Sequence, residues 1–113
     1  MIHEMNLHDE PFNLIKAKTK NIEMRLNDER RKDLKVGDYI VFTSRTTLEK
    51  IKTKILDLYY YDSFEELYKH FDKVSIGYKE DEVPDSKDMN MYYSLEQQEK
   101  YGVVAIKIEM IGE

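Results

Sequence analysis

Three charged side chains, Lys20, Glu23 and Arg25, stand close together in the segment KNIEMRL at 20–26. Lysine and arginine can bind a phosphate or a carbonyl oxygen, and a nearby carboxylate can pair with both cations or serve as a general base. Apolar residues alternate with Glu23 and Arg25, which is the two-residue period of a half-buried strand. The pattern alone therefore predicts either a solvated strand face with a weak ion pair or a charged site.

The role of Lys20 depends on where this strand begins. In a strand that began at Lys20, its side chain would point to the apolar face. A functional Lys20 must therefore lie in the turn before the strand. From there its ammonium could meet a phosphate or a carbonyl oxygen, and Arg25 could bind a phosphate or a base edge with its planar guanidinium.

The composition is that of a soluble globular chain. It has 113 residues, of which 41% are hydrophobic and 36% are charged, as suits one compact domain. No apolar run approaches the roughly 20 residues of a membrane span, and MIHEMNLHDE lacks the basic and apolar regions of a signal peptide. We therefore expect a single domain over residues 1–113 that is cytoplasmic and does not contact a membrane.

The net charge and the absence of certain motifs exclude several kinds of binding or catalytic site. The net charge of -5 disfavours wide, non-specific binding to nucleic acid, although it leaves room for a local basic cleft. The chain has no cysteine, and His3, His8 and His70 have no metal-ligand spacing. Its four glycines form no phosphate-binding or nucleophile-elbow motif. We expect neither a metal nor another cofactor.

Alternating apolar residues and turn signals predict the strands. They are expected at 2–7, 20–26, 39–44, 48–60 and 103–111, and the fourth of these should be the longest. The segment 27–34 is polar and allows at most two helical turns, whereas 72–90 is the least regular part and is expected to be a loop.

Capping signals predict three short helices. The first has Asp9 as its N-cap and should end near Lys18. The second begins at Asp62 or at Ser63, of which Ser63 has a glutamate three residues later. The third begins at Ser94, with a glutamine at the same spacing, and stops at Gly102.

Connections of this length are mostly too short for crossover helices, so the strands cannot all be parallel. The sequence therefore predicts an α+β fold. Its sheet should be mixed but mostly antiparallel, curved or closed into a small β-barrel, with two to four short helices packed at its ends and sides.

The segment 18–25 resembles the signature of the ASCH family, Gly-x-Lys-x-x-Glu-x-Arg, which follows that family's first helix. The lysine, glutamate and arginine match, while Lys18 stands in the place of the glycine. The segments LKVGDYIVF at 34–42 and YYSLEQQEKYGVVAIKI at 92–108 are similar to further parts of small bacterial and archaeal members. The resemblance covers nearly the whole chain and implies a PUA-like β-barrel.

The resemblance also implies a cleft between barrel and helices that binds RNA or a nucleotide-like ligand through the charged motif. One ASCH subgroup hydrolyses N4-acetylcytidine with a Lys-x-x-Thr-x-Arg motif, in which the lysine and the threonine are catalytic and a distant glutamate assists. Glu23 stands in the place of that threonine, and a carboxylate beside two cations is a salt-bridge partner rather than a nucleophile. Binding is therefore favoured over catalysis; if the chain is an enzyme, the catalytic candidates are Lys20, Glu23 and the more distant Glu65.

Four further residues are candidates for ligand binding. Tyr59 and Tyr61 could form a stacking platform for a base at the rim of the cleft, or they could belong to the core. Arg30 and Arg31 belong to a short basic run that could contact phosphates, or could be an ordinary solvated face. Glu65 likewise has a simpler interpretation, because an acidic residue in the first turn of a helix complements the helix dipole.

A second aromatic and basic group lies later in the chain, where Tyr92 and Tyr93, with Lys100, could add to the same rim. The leading hypothesis is a module that binds RNA or a nucleoside or nucleotide ligand around Lys20, Glu23 and Arg25. A small hydrolase of an acylated nucleoside or of RNA is the alternative, and a protein-interaction domain is the third possibility.

Overall fold

The structure is a computed structural model that describes residues 1–112. These residues form five strands and four short helices, one of which is a 3-10 helix. The strands are β1 (Ile2–Leu7), β2 (Ile22–Leu26), β3 (Tyr39–Ser44), β4 (Lys50–Tyr61) and β5 (Val103–Met110). The helices are α1 (Asp9–Lys16), α2 (Phe64–Tyr68), α3 (Leu95–Tyr101) and a 3-10 helix (Ser86–Met91).

All five strands belong to one curled sheet with the order β1-β3-β4-β5-β2. The pair β1–β3 is parallel, and the other three pairs are antiparallel. The predicted α+β fold with a mixed, mostly antiparallel sheet is therefore confirmed. The sheet is a half-barrel whose two edges are β1 and β2, and β4 is its longest strand as predicted.

The hydrophobic core has two parts, which β5 separates. Val104, Ile106 and Ile108 point into a cluster with α1 and the strands β1, β3 and β4. Val103 and Ala105 point the other way, into a cluster with β2 and α2. Because successive side chains of a strand alternate between faces, a strand that is covered on both sides is apolar throughout. Residues 103–106 are accordingly all buried.

The helix ends partly match the predictions. Ser63 accepts a hydrogen bond from the Glu66 amide, and Ser94 forms the predicted capping box before α3, which ends at Gly102. The expected N-cap of α1 is wrong, because His8 occupies that position. Asp9 lies in the first turn of α1 instead, where its carboxylate accepts a hydrogen bond from the Ser44 hydroxyl at 3.0 Å.

Two connections have little regular structure. Residues 27–34 form turns without a helix, within the predicted limit of two helical turns. Residues 72–90 are irregular as predicted, except that the 3-10 helix begins within them. Among the described residues, no helix combines the length and the apolar character that crossing a membrane requires.

Candidate ligand-binding cleft

A cleft of about 370 Å³ lies beside the first turn of α1 and the start of β2. One wall comes from the end of β1, from α1 and from β2 with the turn that precedes it. The opposite wall is formed mainly by residues 76–93, which we call the loop wall. Lys20, Glu23 and Arg25, which we call the charged trio, all contribute to the lining.

The charged trio is a connected and nearly dry ion-pair network. One carboxylate oxygen of Glu23 lies 3.2 Å from the Lys20 ammonium, and the other accepts a 2.7 Å hydrogen bond from Nε of Arg25. The exposed fractions of the side chains are 9% for Lys20, 4% for Glu23 and 13% for Arg25. Of the two interpretations of the sequence pattern, the structure therefore excludes the solvated strand face with a weak ion pair.

Burial and charge act in opposite directions on the pKa values of this network. Burial alone would raise the pKa of Glu23, but the positive charges of Lys20 and Arg25 outweigh it, so this pKa lies below its ordinary value. Burial alone would lower the pKa of Arg25, yet the Glu23 carboxylate and the Tyr93 hydroxyl raise it overall. Glu23 is consequently ionised at neutral pH, and two cations share its single negative charge.

Arg25 also joins the two open edges of the sheet. Its Nη2 atom donates a 3.2 Å hydrogen bond to the backbone carbonyl of Asn6 on β1. Since β1 and β2 are not neighbours in the sheet, this side chain spans the gap that a closed barrel would fill with backbone hydrogen bonds. The base of the cleft is thus built across the seam of the half-barrel.

The turn between α1 and β2 determines the position of Lys20. Its backbone amide donates to the carbonyl of Leu14 at 3.2 Å, while the amides of Asn21 and Ile22 donate to the carbonyl of Ser75 in the irregular segment after α2. Lys20 therefore lies just before β2, and the turn directs its side chain into the cleft. This is the location that a functional Lys20 requires.

Gly77 of the loop wall packs directly against Lys20. A Cβ atom at this position would lie 3.3 Å from Cδ and 3.4 Å from Nζ of Lys20, and the backbone of Gly77 has a φ of +117°. Both the close approach and the dihedral favour glycine. Sequence reasoning did not identify Gly77 as a site residue, since an isolated glycine in an irregular segment carries no sign of its distant neighbour.

Tyrosines supply most of the aromatic surface of the loop wall. The Tyr78 hydroxyl lies 3.0 Å from that of Tyr68, and it donates to the Asp88 carboxylate at 2.6 Å. Tyr93 stacks on Phe64 of the core, with ring centroids 5.8 Å apart. Tyr92 is exposed at the mouth, where its ring lies 6.4 Å from that of His8. The cleft therefore has an aromatic wall facing a charged one.

The rim of the cleft differs in charge from its base. Glu10, Glu82 and Asp88 lie in the lining together with Arg45, so the rim is more acidic than basic. The charged trio carries one net positive charge. A ligand would thus meet hydrogen-bond donors deep in the cleft and carboxylate acceptors nearer its mouth. The described residues contain no group of three or more histidine, cysteine, aspartate or glutamate side chains that could hold a metal ion.

Known proteins resemble this chain in both sequence and structure. The family model described as the ASCH domain matches residues 5–112. The chain is an ASCH domain. Among solved structures, it is similar to the crystal structure of hypothetical protein PH0355, with a TM-score of 0.83 and 36% identity over 98% of this chain and 100% of the other. The solution structure of protein PF0455 from Pyrococcus furiosus has a TM-score of 0.71 and 33% identity, with full coverage of both chains.

These matches confirm the family and the PUA-like fold that the sequence resemblance implied. A search of the curated proteins finds no match. In this ASCH domain, Lys18 occupies the position of the glycine in the family signature and adopts a φ of +69°. Lys18 therefore keeps the left-handed backbone conformation, which a glycine would adopt without strain.

The remaining candidate residues lie outside the cleft of this ASCH domain. Tyr59 and Tyr61 pack around Phe71 beside the second core cluster, and Tyr61 also stacks on His70 with centroids 5.0 Å apart. Glu65 is exposed in the first turn of α2.

The two candidate arginines belong to the turn that follows β2. Arg30 is exposed and lies 3.8 Å from Asp28. Arg31 is half-buried, and its pKa is lowered by burial and then by the nearby charge of Arg25. Arg31 therefore lies near the charged trio without lining the cleft, whereas Arg30 belongs to the solvated surface.

Proposed function

We propose that this ASCH domain binds one nucleoside unit in the cleft, either as part of single-stranded RNA or as a free nucleoside or nucleotide. The observation that carries the proposal is the charged trio, in which two buried cations share one carboxylate beside an aromatic wall. A volume of about 370 Å³ falls within the range of sites that hold small organic ligands.

The trio retains donors for a ligand. An arginine has five N–H groups, of which the hydrogen bonds to Glu23 and Asn6 use two, and the nearby Tyr93 hydroxyl can take a third. An ammonium has three, of which one points to Glu23. Both oxygens of Glu23 already accept from these cations. The open capacity is therefore for acceptors, such as the carbonyl edge of a base or a phosphate oxygen.

The loop wall suits the flat part of such a ligand. Every base presents a π-face, and stacking on tyrosine is a common way for proteins to hold an unpaired base. Tyr92 at the mouth is the candidate for this contact because its ring is exposed and lines the cleft. The acidic rim favours a base and sugar over a polyphosphate, since clustered phosphates would be repelled there.

The same geometry favours binding over hydrolysis. A general base needs a pKa near neutrality, whereas the pKa of Glu23 is lowered because each of its oxygens is paired with a cation. Hydrolysis of an acylated nucleoside such as N4-acetylcytidine, or of RNA, is therefore not the expected activity. Incubation with each, followed by product analysis, measures it directly.

Calorimetric titration with the four common nucleosides, N4-acetylcytidine and short single-stranded RNA tests the proposal. Replacing Lys20 by methionine keeps most of the buried stem but removes a donor, so affinity should fall at least about tenfold. Lys18→Met is the matched control, because Lys18 is exposed and outside the cleft, and its affinity should equal that of the wild type.

A second pair of variants does not disturb the buried charges. Tyr92 and Tyr60 are 57% and 56% exposed, but Tyr92 alone of the two lines the cleft. Tyr92→Ala should weaken binding by about 1–3 kcal/mol, the usual contribution of one base stacked on an aromatic ring, whereas Tyr60→Ala should leave it unchanged. Absence of binding by the wild type to every one of these ligands would refute the proposal.

A further inference from the structure

Three lysines form a row on the solvent-facing side of the sheet. They lie in the first half of β4, whereas its tyrosines lie at the end of the strand. Lys50, Lys52 and Lys54 alternate with the buried residues Ile51 and Thr53, so all three side chains emerge on the same face. A strand rises about 3.4 Å per residue, which places neighbouring lysines of this row about 6.8 Å apart. We call these three residues the lysine row.

The lysine row has few partners within the protein. Among the described residues, none of its three ammonium groups lies within 4.0 Å of a carboxylate. Lys52 lies over the ring of Tyr39, with its ammonium 4.7 Å from the ring centroid. Glu109 is paired with Lys54 across the β4–β5 ladder, so one acidic side chain partly offsets the charge at that end.

The sheet face around the lysine row is otherwise weakly charged. The residues aligned with the row on β3 are Thr43, Val41 and Tyr39. Beyond them, β1 contributes Glu4 beside Val41, two strands away from Lys52. In a chain with a net charge of -5, a row of lysines without carboxylate partners is a local positive surface.

The lysine row leads toward the cleft. Lys50 pairs with Thr43, directly before the turn at 45–49 that joins β3 to β4. The acidic residue of this turn, Glu49, is held in an ion pair by Lys16. At the start of the turn, the Arg45 amide donates to the Leu7 carbonyl, and Arg45 lies in the lining of the cleft. The basic residues thus continue from β4 to the cleft rim.

We propose that the lysine row binds the backbone of single-stranded RNA, one nucleotide of which occupies the cleft. This inference rests on the proposed function for the occupant of the cleft, and it assigns RNA rather than a free nucleoside as the ligand. Lysines act as point charges for phosphate, and a spacing of about 6.8 Å suits successive phosphates of an extended strand.

The experiment compares two triple variants of the full chain. K50Q/K52Q/K54Q removes the lysine row, and K18Q/K32Q/K69Q removes three exposed lysines that lie outside both the row and the cleft, so both lower the net charge by the same amount. Fluorescence anisotropy with a labelled mixed-sequence RNA of about twelve nucleotides gives affinity over a range of salt concentrations. Calorimetry with the mononucleoside that the wild type binds best reports the cleft alone.

Loss of the lysine row should weaken RNA binding about tenfold or more at low salt. It should also reduce the slope of log affinity against log salt by about 2, because each phosphate contact contributes about 0.7 for single strands. Mononucleoside affinity should not change, and the control triple variant should retain both the affinity and the slope of the wild type. Equal RNA affinity and salt slope for the two triple variants would overturn the inference and leave the proposed function intact. Failure of the wild type to bind any nucleoside or RNA would instead refute the proposed function.

Discussion

The two walls of the cleft are built in different ways. One wall carries Glu23 and Arg25 on β2, which is paired with β5 along its whole length, and Lys20 in the turn directly before it. The loop wall has one short 3-10 helix and many exposed residues, and its hydrogen bonds converge on the Tyr78 hydroxyl. The sheet therefore fixes Glu23 and Arg25 in place, whereas the loop wall has little regular structure and is the part that can adapt to a ligand.

The largest expected effect comes from breaking the rigid wall. Glu23→Gln would leave the cations Lys20 and Arg25 buried without a negative charge between them. The free energy of unfolding should fall by about 3–5 kcal/mol, as for other buried ion pairs that lose one partner. Urea denaturation measures this directly.

Glu66→Gln is the matched control for this substitution. Glu66 also contacts two basic side chains, Lys69 and His70, but all three are about half exposed. Its loss should have a much smaller effect on unfolding, because solvent screens exposed pairs. Equal losses for the two variants would mean that burial of the charged trio has no energetic consequence.

The Glu23 carboxylate should also make the free energy of unfolding depend on pH. The pKa of Glu23 is lower in the folded chain than its ordinary value of 4.5, so between the two values the unfolded chain binds more protons. The stability that Glu23 contributes is therefore complete above about pH 4.5 and is lost as the pH falls through its folded pKa. The difference in unfolding free energy between wild type and Glu23→Gln should be widest at neutral pH and should narrow below pH 4.5. A difference in unfolding free energy that stays constant down to pH 3 would contradict the lowered pKa of Glu23 in the folded chain.

The contact between the two walls is tested at Gly77. Gly77→Ala places a Cβ against Lys20 and imposes a strained φ, so we expect a loss of about 1–3 kcal/mol in stability and weaker ligand binding. Gly37→Ala is the control, since Gly37 has a φ of +96° but nothing within 4 Å of the added atom. It should lose stability without losing affinity. Unchanged affinity in both variants would show that the position of Lys20 does not matter for binding.

The smallest effect is expected within the loop wall itself. Tyr78→Phe removes the hydroxyl that contacts Tyr68, Asp85 and Asp88. The free energy of local opening of the loop wall should therefore fall by about 1 kcal/mol. Backbone amides of residues 79–92 should exchange hydrogen faster, while those of β5 should keep their protection. Tyr60→Phe, at an exposed ring, should change neither group of amides. Faster exchange in β5 as well would mean that the loop wall is not separable from the core.

Much of the fold was predictable because it depends on local pattern. The alternation in β2 and β4, and the capping box at Ser94, depend on residues that are close in sequence. The apolar run of β5 predicted a strand, although it could not reveal that two separate core clusters lie on its two faces. Asp9 was misassigned because its hydrogen-bond partner, Ser44, is distant in the chain.

The site was predictable to a smaller extent, for the same physical reason. The spacing of Lys20, Glu23 and Arg25 indicated that they could act together, but burial depends on what covers them. That cover is an irregular segment with Gly77, whose approach to Lys20 has no local signal. The exposed position of Tyr92 at the mouth, compared with the packing of Tyr59 and Tyr61 around Phe71, likewise depends on tertiary structure.

Nuclear magnetic resonance of isotope-labelled protein tests the central claim most directly. The side-chain Nε–H of Arg25 and the backbone amide of Gly77 report on opposite walls of the cleft, and both should shift together as a nucleoside is added. Amides near Tyr60, outside the cleft, should not move. Saturable shifts at both reporters are the result predicted here. Shifts confined to other surfaces, with Arg25 and Gly77 unchanged at saturation, would contradict the account.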